Sequence, residues 1–554
     1  MRTKTKIHFE KTYVTLVCIL TNLFLFHNFF FSGFNLLLGD RFDTLIETNI
    51  LQHWYNFFTG NSHWSTVGYF YPFKNTLGYN DGYFLYGVIY SIFRFINLDI
   101  FISAELVNVF LKVIGYFSFY WLTRNILKFN FLPSICSAVA FTLGNSLIMQ
   151  MPHVQLLSIA FSPLLTIFII NYAAAIKYNK VRSAVLNGSA TSMLLALWLF
   201  TSFYMAWYFV LFFCIASVVF FMLCISNNRL RRELEFKFSL KSIIFPILTL
   251  AVFIIPFLNV YLPKANETGG QSLDAAETYA PHLLNVIDPG ATSVIYGKLS
   301  DYLLNGIRGL DRTGEFSVGL APISVMLVIL ATIFLLFKKK QSIKTVFFLT
   351  LCFTTLFLVL LVIKEGDFFL WKYVWKYFPG AKGMRVTSRL CLYLIFPVSL
   401  ISAYLMNLAQ KTKYKSLALS FCVMVVIEQL NVYPNANFNR KTQLEFVKSL
   451  PPPPAECKAF YVIGQRQNEL PNSTINIMNS LYPHNVDAML ISELFHVRTI
   501  NGFSTFNPPG WDFARDPLST YMNRVQKYIN DYHIQDGMCQ FDLERLTWAF
   551  FVKK

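Results

Sequence analysis

Charge is what this chain has least of. Only 14% of its 554 residues are Asp, Glu, Lys or Arg, and its 30 acids are outnumbered by 47 bases. Soluble globular domains carry about 25% charged residues. With 55% apolar and 17% aromatic content and a mean hydropathy of +0.46, an ordinary soluble fold is excluded. A glycine-rich phosphate loop, a Ser-His-Asp order and a Cys-His constellation are all missing, and His53 and His63 form neither H-x-x-x-H nor H-E-x-x-H, which argues against a zinc site. Cysteine is sparse: of nine, residues such as Cys18, Cys136, Cys214 and Cys352 fall inside apolar runs as packing residues. Only Cys457 and Cys539 fall in the more polar C-terminal stretch, where an oxidising compartment would permit a disulfide. There is no internal repeat.

The bases that are present sit in short gaps between apolar runs: Arg124 to Lys128, Lys177 to Arg182, Arg229 to Lys241, Lys338 to Lys344 and Lys411 to Lys415. A nucleic-acid footprint requires bases clustered on a folded soluble surface. Gaps of this kind are instead what the positive-inside rule places in the cytoplasm, so the net charge of +17 reports topology. The basic N-terminus Met1-Arg2-Thr3-Lys4-Thr5-Lys6 is expected inside, followed by a retained first helix over the apolar run 13–38. Further crossings are expected near 103–122, 132–149, 155–176, 184–201, 203–225, 242–262, 319–337, 344–363, 388–408 and 415–432. Counting 83–97 as another would turn basic gaps outward, so it reads as a juxtamembrane helix on the outer leaflet.

The expected fold is mostly α, a polytopic transmembrane helical bundle of about eleven crossings, with a small C-terminal α+β extracytoplasmic domain. The membrane domain spans 1–432, with outer-face loops 40–102, 263–318 and 364–387, and the soluble domain spans 433–554. Pro451 to Pro454 reads as a stiff spacer at its start, and Ala459 to Ile463 as a strand.

Polar residues gather on the predicted outer face. The apolar run ends in Gly39-Asp40-Arg41-Phe42-Asp43, and a helix over 43–58 would place Asp43 and Glu47 on one face, with Asp40 three residues earlier. His53 and Asp81 lie in the same loop, His153 and Gln155 in the turn at 150–155, Glu315 just before a crossing, and Arg385 and Arg389 four apart at a helix start. Each has a plainer reading: a solvated interfacial acid, a satisfied interfacial histidine, a helix N-terminal acid at Glu315, or arginines anchored to lipid phosphate. Together they supply carboxylates able to take a proton from a hydroxyl and guanidinium groups able to hold a phosphate.

Over residues 10 to 430 the chain resembles the GT-C superfamily of integral-membrane glycosyltransferases, in particular bacterial members related to the protein mannosyltransferase and aminoarabinose transferase group. The resemblance rests on Gly39-Asp40-Arg41-Phe42-Asp43 after the first helix, the long first outer loop, and the run from Tyr71-Pro72 to Asp81-Gly82. It also uses Pro152-His153-Val154-Gln155 with Ser162-Pro163-Leu164, and Arg385-Val386-Thr387-Ser388-Arg389. It implies a polyprenyl-phosphate-linked sugar donor and a lipid, glycan or protein acceptor on the non-cytoplasmic face, in a bacterial inner membrane. By the same resemblance Asp40 or Asp43 would be the base and Arg385 and Arg389 would bind the departing phosphate. Glu47, His53, Asp81, His153, Gln155 and Glu315 would line the substrate site. The stretch Asn501 to Trp511 looks like the outward domain appended to some members. The Asp-Arg-Phe-Asp spacing differs from the adjacent acidic pair of the mannosyltransferases, and the His-Pro-Pro run of many relatives is absent. Donor identity and a divalent metal are left open.

Two other classes fit the same composition. A transporter or flippase of lipid-linked glycans would place charges at mid-membrane, as Glu105 and Glu428 in apolar runs would allow. An O-antigen-ligase-like transferase would lean on outer-loop Arg and His. Sequons at Asn266 and Asn472 discriminate between none of these.

Overall fold

The structure, a computed structural model, describes residues 2–225, 230, 238–338, 341–413, 415–466, 482–513 and 518–551. Most of the basic gap at 229–241 and the sequon at Asn472 lie outside the described residues. Among the described residues seven helical segments are long and apolar enough to cross a membrane: Ile100–Ile126, Phe131–Met149, Val154–Lys177, Phe203–Ile225, Leu240–Thr268, Ile343–Val362 and Arg389–Ala409. This is an integral membrane protein. Phe84–Phe95, Pro322–Leu336 and Lys415–Ile427 are shorter apolar helices. At 1.5 Å per residue, the 12 residues of Phe84–Phe95 reach about 18 Å, short of a hydrocarbon core of about 30 Å.

The described chain divides into two compact units. The first comprises 1–27, 108–254 and 270–435. Its centre is the segment Arg389–Ala409, almost wholly buried, with Phe131–Leu143, Pro322–Leu336, Ile343–Val362 and Lys415–Ile427 packed round it. Phe348 and Tyr404 stack with centroids 3.8 Å apart, and Phe119 stacks on Phe141 at 4.9 Å. Glu428, a charge inside an apolar run, accepts from the N–H groups of Ile323 at 2.8 Å and Ser324 at 2.9 Å. Those donors have no partner inside the helix Pro322–Leu336, and a carboxylate at that end also meets its positive dipole. Glu428 thus caps that helix.

The second unit comprises 28–107, 255–269 and 436–554. The apolar run 13–38 does not fold as one helix. Arg2–Leu25 is followed by the short His27–Phe31, then by Gly33 and Phe34 at positive φ, and Leu36–Leu37 is a strand antiparallel to Phe438–Asn439. The hydroxyl of Ser32 takes the N–H groups of Asn35 at 3.0 Å and Leu36 at 2.8 Å, fixing the exit from helix to strand.

The helix Asp43–Phe58 forms as the sequence predicts, with no Gly or Pro inside it and Leu45, Ile46, Ile50 and Trp54 buried at helical spacing. Phe84–Phe95 packs against it, and at the crossing a side chain on Gly87 would lie 2.4 Å from the Trp54 ring, so only glycine fits. The C-terminal part carries a four-stranded sheet in the order Arg498–Thr499, Ala459–Ile463, Met538–Asp542, Thr547–Phe550, the last pair antiparallel and the others parallel. Helices Tyr482–Phe495 and Tyr521–Asp531 accompany it, and Cys457 is joined to Cys539. This is the α+β arrangement expected of it.

Candidate functional site

The predicted site residues fall into two groups, one in each unit. In the second unit, Asp40 is exposed and stands just before the helix Asp43–Phe58. Its Oδ1 accepts from the N–H groups of Phe42 at 2.8 Å and Asp43 at 3.2 Å, and its own N–H donates to Thr44 Oγ1 at 3.1 Å. Thr44 in turn donates to the Leu38 carbonyl at 3.0 Å. Asp40 is therefore held in a tight turn that opens the helix, with its carboxylate on the helix N-terminus.

Asp43 follows, half-buried in the first helical turn, and Glu47 one turn later is only 1% exposed. Neither Glu47 oxygen has a hydrogen-bond partner among the described residues. Burial, and next the nearby charge of Glu105, raise the Glu47 carboxyl well above its ordinary range. Burial first, then the carboxylates of Asp81, Glu47 and Asp43, push the Tyr83 hydroxyl well up. The charges of Asp43, Glu47 and Asp81 thus all act on one tyrosine that sequence reasoning passed over. His53 belongs to another set: its Nε2 lies 3.3 Å from the Trp64 carbonyl and its Nδ1 3.7 Å from Glu493.

In the first unit, Arg389 holds Glu315 with a two-pronged contact, Nε to Oε2 at 3.0 Å and Nη2 to Oε1 at 2.6 Å. His153 Nε2 lies 3.7 Å from the same carboxylate. Burial raises the Glu315 carboxyl, but Arg389, His153 and Arg385 outweigh it, and the net position is below the usual carboxylate range. Gln150 braces the loop by donating to the Gly314 carbonyl at 2.6 Å, and Ser388 by donating to the Glu315 carbonyl at 2.6 Å. Gln155 is half-buried at the second residue of the 3₁₀ turn Val154–Ala160.

The two arginines do not share a helical face. The helix begins only at Arg389, because Thr387 Oγ1 donates to the Ala276 carbonyl at 3.0 Å and the Ser388 N–H donates to the Tyr279 carbonyl at 3.1 Å, tying the preceding stretch to a neighbouring loop. Arg385 sits in that stretch, half-buried, its N–H donating to the Tyr204 hydroxyl at 2.9 Å and its guanidinium 5.1 Å from the Tyr279 ring centre. It makes no ion pair among the described residues. Arg389 is committed to Glu315, whereas Arg385 offers its charge from an aromatic shelf.

Tyr279 and Tyr204 lie more than a hundred residues from the arginines they contact, and no local pattern marks them. Among the described residues no three His, Cys, Asp or Glu side chains gather into a metal-binding group.

No family model matches the chain, and no curated protein matches it by sequence. Among solved structures it is similar to the oligosaccharyltransferase of Archaeoglobus fulgidus in the apo form, with a TM-score of 0.43 and 11% identity over 89% of this chain, which spans 64% of that one. It is also similar to ArnT from Cupriavidus metallidurans in the apo state, with a TM-score of 0.41 and 10% identity over 98% of this chain and 94% of that one.

Proposed function

We propose that this chain is a membrane glycosyltransferase that moves a sugar from a polyprenyl-phosphate-linked donor to a lipid, glycan or protein acceptor on the non-cytoplasmic face. The observation that carries this reading is Arg385, a half-buried guanidinium over an aromatic ring with no ion pair among the described residues, in a protein whose neighbouring arginine is already paired with Glu315. A cation so placed suits a phosphate carried by a lipid. The acids that follow the first apolar run supply the second requirement. Asp40 is the proposed base, with Asp43 the alternative.

In the reaction the acceptor hydroxyl attacks the anomeric carbon while its proton passes to the carboxylate. The bond from that carbon to the phosphate oxygen breaks, its electron pair leaves with the polyprenyl phosphate, and Arg385 offsets the charge left there. A single displacement inverts the anomeric centre. Glu47 and Asp81 are assigned to the acceptor with Asp40 and Asp43, and His153, Gln155, Glu315 and Arg389 to the donor phosphate with Arg385, Glu315 and Arg389 by fixing the loop beside it; His53 faces Glu493 instead.

The test is incubation of membranes holding the protein with labelled polyprenyl-linked sugars. Release of the lipid phosphate together with a labelled acceptor supports the proposal, and movement of intact label across the bilayer without release refutes it in favour of a flippase. Repeating the assay with a chelator reads whether a divalent metal takes part.

A further inference from the structure

The C-terminal segment was expected to be an appended domain, yet its buried charges are spent on the acidic helix. Asp487 is 1% exposed, and each of its oxygens meets a guanidinium: Arg41 at Oδ2, and Arg466 Nη1 at Oδ1 with a separation of 3.2 Å. Arg41 and Arg466 are themselves buried, the latter with its guanidinium carbon 3.6 Å from the Phe446 ring centre. Arg41 lies between Asp40 and Asp43, so whatever fixes it fixes the turn that presents them.

A second contact lies two turns along. Asn56 donates to the Glu493 carbonyl at 2.8 Å and to its Oε2 at 2.9 Å, while the Gly68 N–H donates to Oε1 at 2.9 Å. Nearer the start of the helix that carries Asn56, Asn49 donates to the Val486 carbonyl, next to Asp487, at 3.4 Å. Residues 49 and 56 face 486 and 493, an equal step of seven on both helices, so the helices run side by side in parallel and in register. Buried carboxylates fully engaged in this way specify one register, because a slip would leave them unpaired in an apolar surrounding.

We propose that the helix Tyr482–Phe495 is a clamp that sets the position of Asp40 and Asp43, with Asp487 as its positioning residue and Glu493 as its second point of hold. This rests on the reading of those acids as the catalytic end of a glycosyltransferase. A displacement near 1 Å at a reacting group is enough to cost roughly a hundredfold in rate. In the full-length protein in membranes, Asp487→Asn is expected to lower turnover by about that factor with the donor KM within about twofold, and Asp487→Glu to recover part of it. Equal turnover in Asp487→Asn and the parent overturns the clamp. Should Asp487→Asn fail to accumulate, Glu493→Gln, which keeps an oxygen for Asn56 or Gly68, is read in the same way.

A second measurement does not depend on activity. Thr48 is fully buried on the clamped helix, and Thr48→Cys in the parent is expected to resist a water-soluble maleimide, with mapping of the labelled peptide as the readout. Adding Asp487→Asn is expected to raise its labelling rate about tenfold, the effect of 1.4 kcal/mol on a local opening. Unchanged labelling refutes the clamp. A parent protein that releases no lipid phosphate refutes the glycosyltransferase reading, and the labelling result still decides the clamp.

Discussion

Asp40 offers a substitution in which charge and scaffold separate. Its Oδ1 accepts the N–H groups of Phe42 and Asp43, and an asparagine oxygen in the same place accepts both. Asp40→Asn therefore keeps both of these contacts and removes the negative charge. A positioned base contributes about 10²–10⁴ in rate, and its lower end corresponds to about 2.7 kcal/mol on the barrier. Asp40→Ala removes the acceptor as well and is expected to cost about 1 kcal/mol of stability, the usual scale of a lost helix cap.

The two variants thus separate the roles. Asn should accumulate and unfold like the parent yet transfer sugar about a hundredfold more slowly or worse, while Ala should lose both turnover and thermal stability. Turnover is measured as polyprenyl phosphate released per protein from a labelled donor, and stability as the midpoint of heat inactivation in detergent. If Asp43→Asn abolishes transfer while Asp40→Asn stays active, the base is Asp43 and Asp40 is the cap alone. If both Asn variants transfer sugar at the parental rate, neither acid takes the proton and the proposed chemistry is wrong.

The arginines should respond differently from one another. Arg385→Ala is expected to raise the donor KM about tenfold, the effect of losing a charge-assisted contact of about 1.5 kcal/mol, with the protein still folded. Arg389→Ala takes the two-pronged partner from the half-buried Glu315, leaving His153 near it, and should destabilise by about 1–3 kcal/mol in thermal unfolding. A stable Arg389→Ala variant lacking donor affinity would reverse these assignments. For Glu47 the folded carboxyl titrates well above its ordinary value of 4.5, so above pH 4.5 the native state holds a proton that the unfolded chain releases. Stability should then fall as pH rises from 4.5 toward the folded value, and Glu47→Gln should abolish that slope and stabilise the protein at neutral pH in unfolding measured across pH. A pH slope unchanged in Glu47→Gln would show that Glu47 is paired and ionised. A reporter active only outside the cytoplasm, fused after Lys128, is expected to stay silent, and its activity would overturn the proposed cytoplasmic N-terminus and outward C-terminal segment.

What the sequence disclosed was local. The helix Asp43–Phe58, the short helix Phe84–Phe95 and the strand Ala459–Ile463 follow from spacing and turn residues within a dozen positions, and each stands where that spacing put it. The break after Leu25 did not follow, because Leu36 and Leu37 look alike to hydropathy whether they continue a helix or pair as a strand, and their partners Asn439 and Phe438 lie some four hundred residues away. The arginine pair failed for a related reason. A spacing of four is necessary for a shared helical face but does not create the helix, and the Thr387 and Ser388 contacts with Ala276 and Tyr279 delay its start to Arg389.

The C-terminal clamp left a signal of the kind that had already drawn notice at Glu428. In Val486-Asp487-Ala488-Met489-Leu490-Ile491-Ser492-Glu493 two acids interrupt an apolar run, and an acid there must find donors or give up its charge. Glu428 finds backbone N–H groups, and Asp487 and Glu493 find guanidinium and amide donors from the other end of the chain. Glu47 obeys the second half of the same rule. Spacing placed it correctly on a helical face with Asp43, and with no hydrogen-bond donor to either oxygen among the described residues its burial disfavours the charged form.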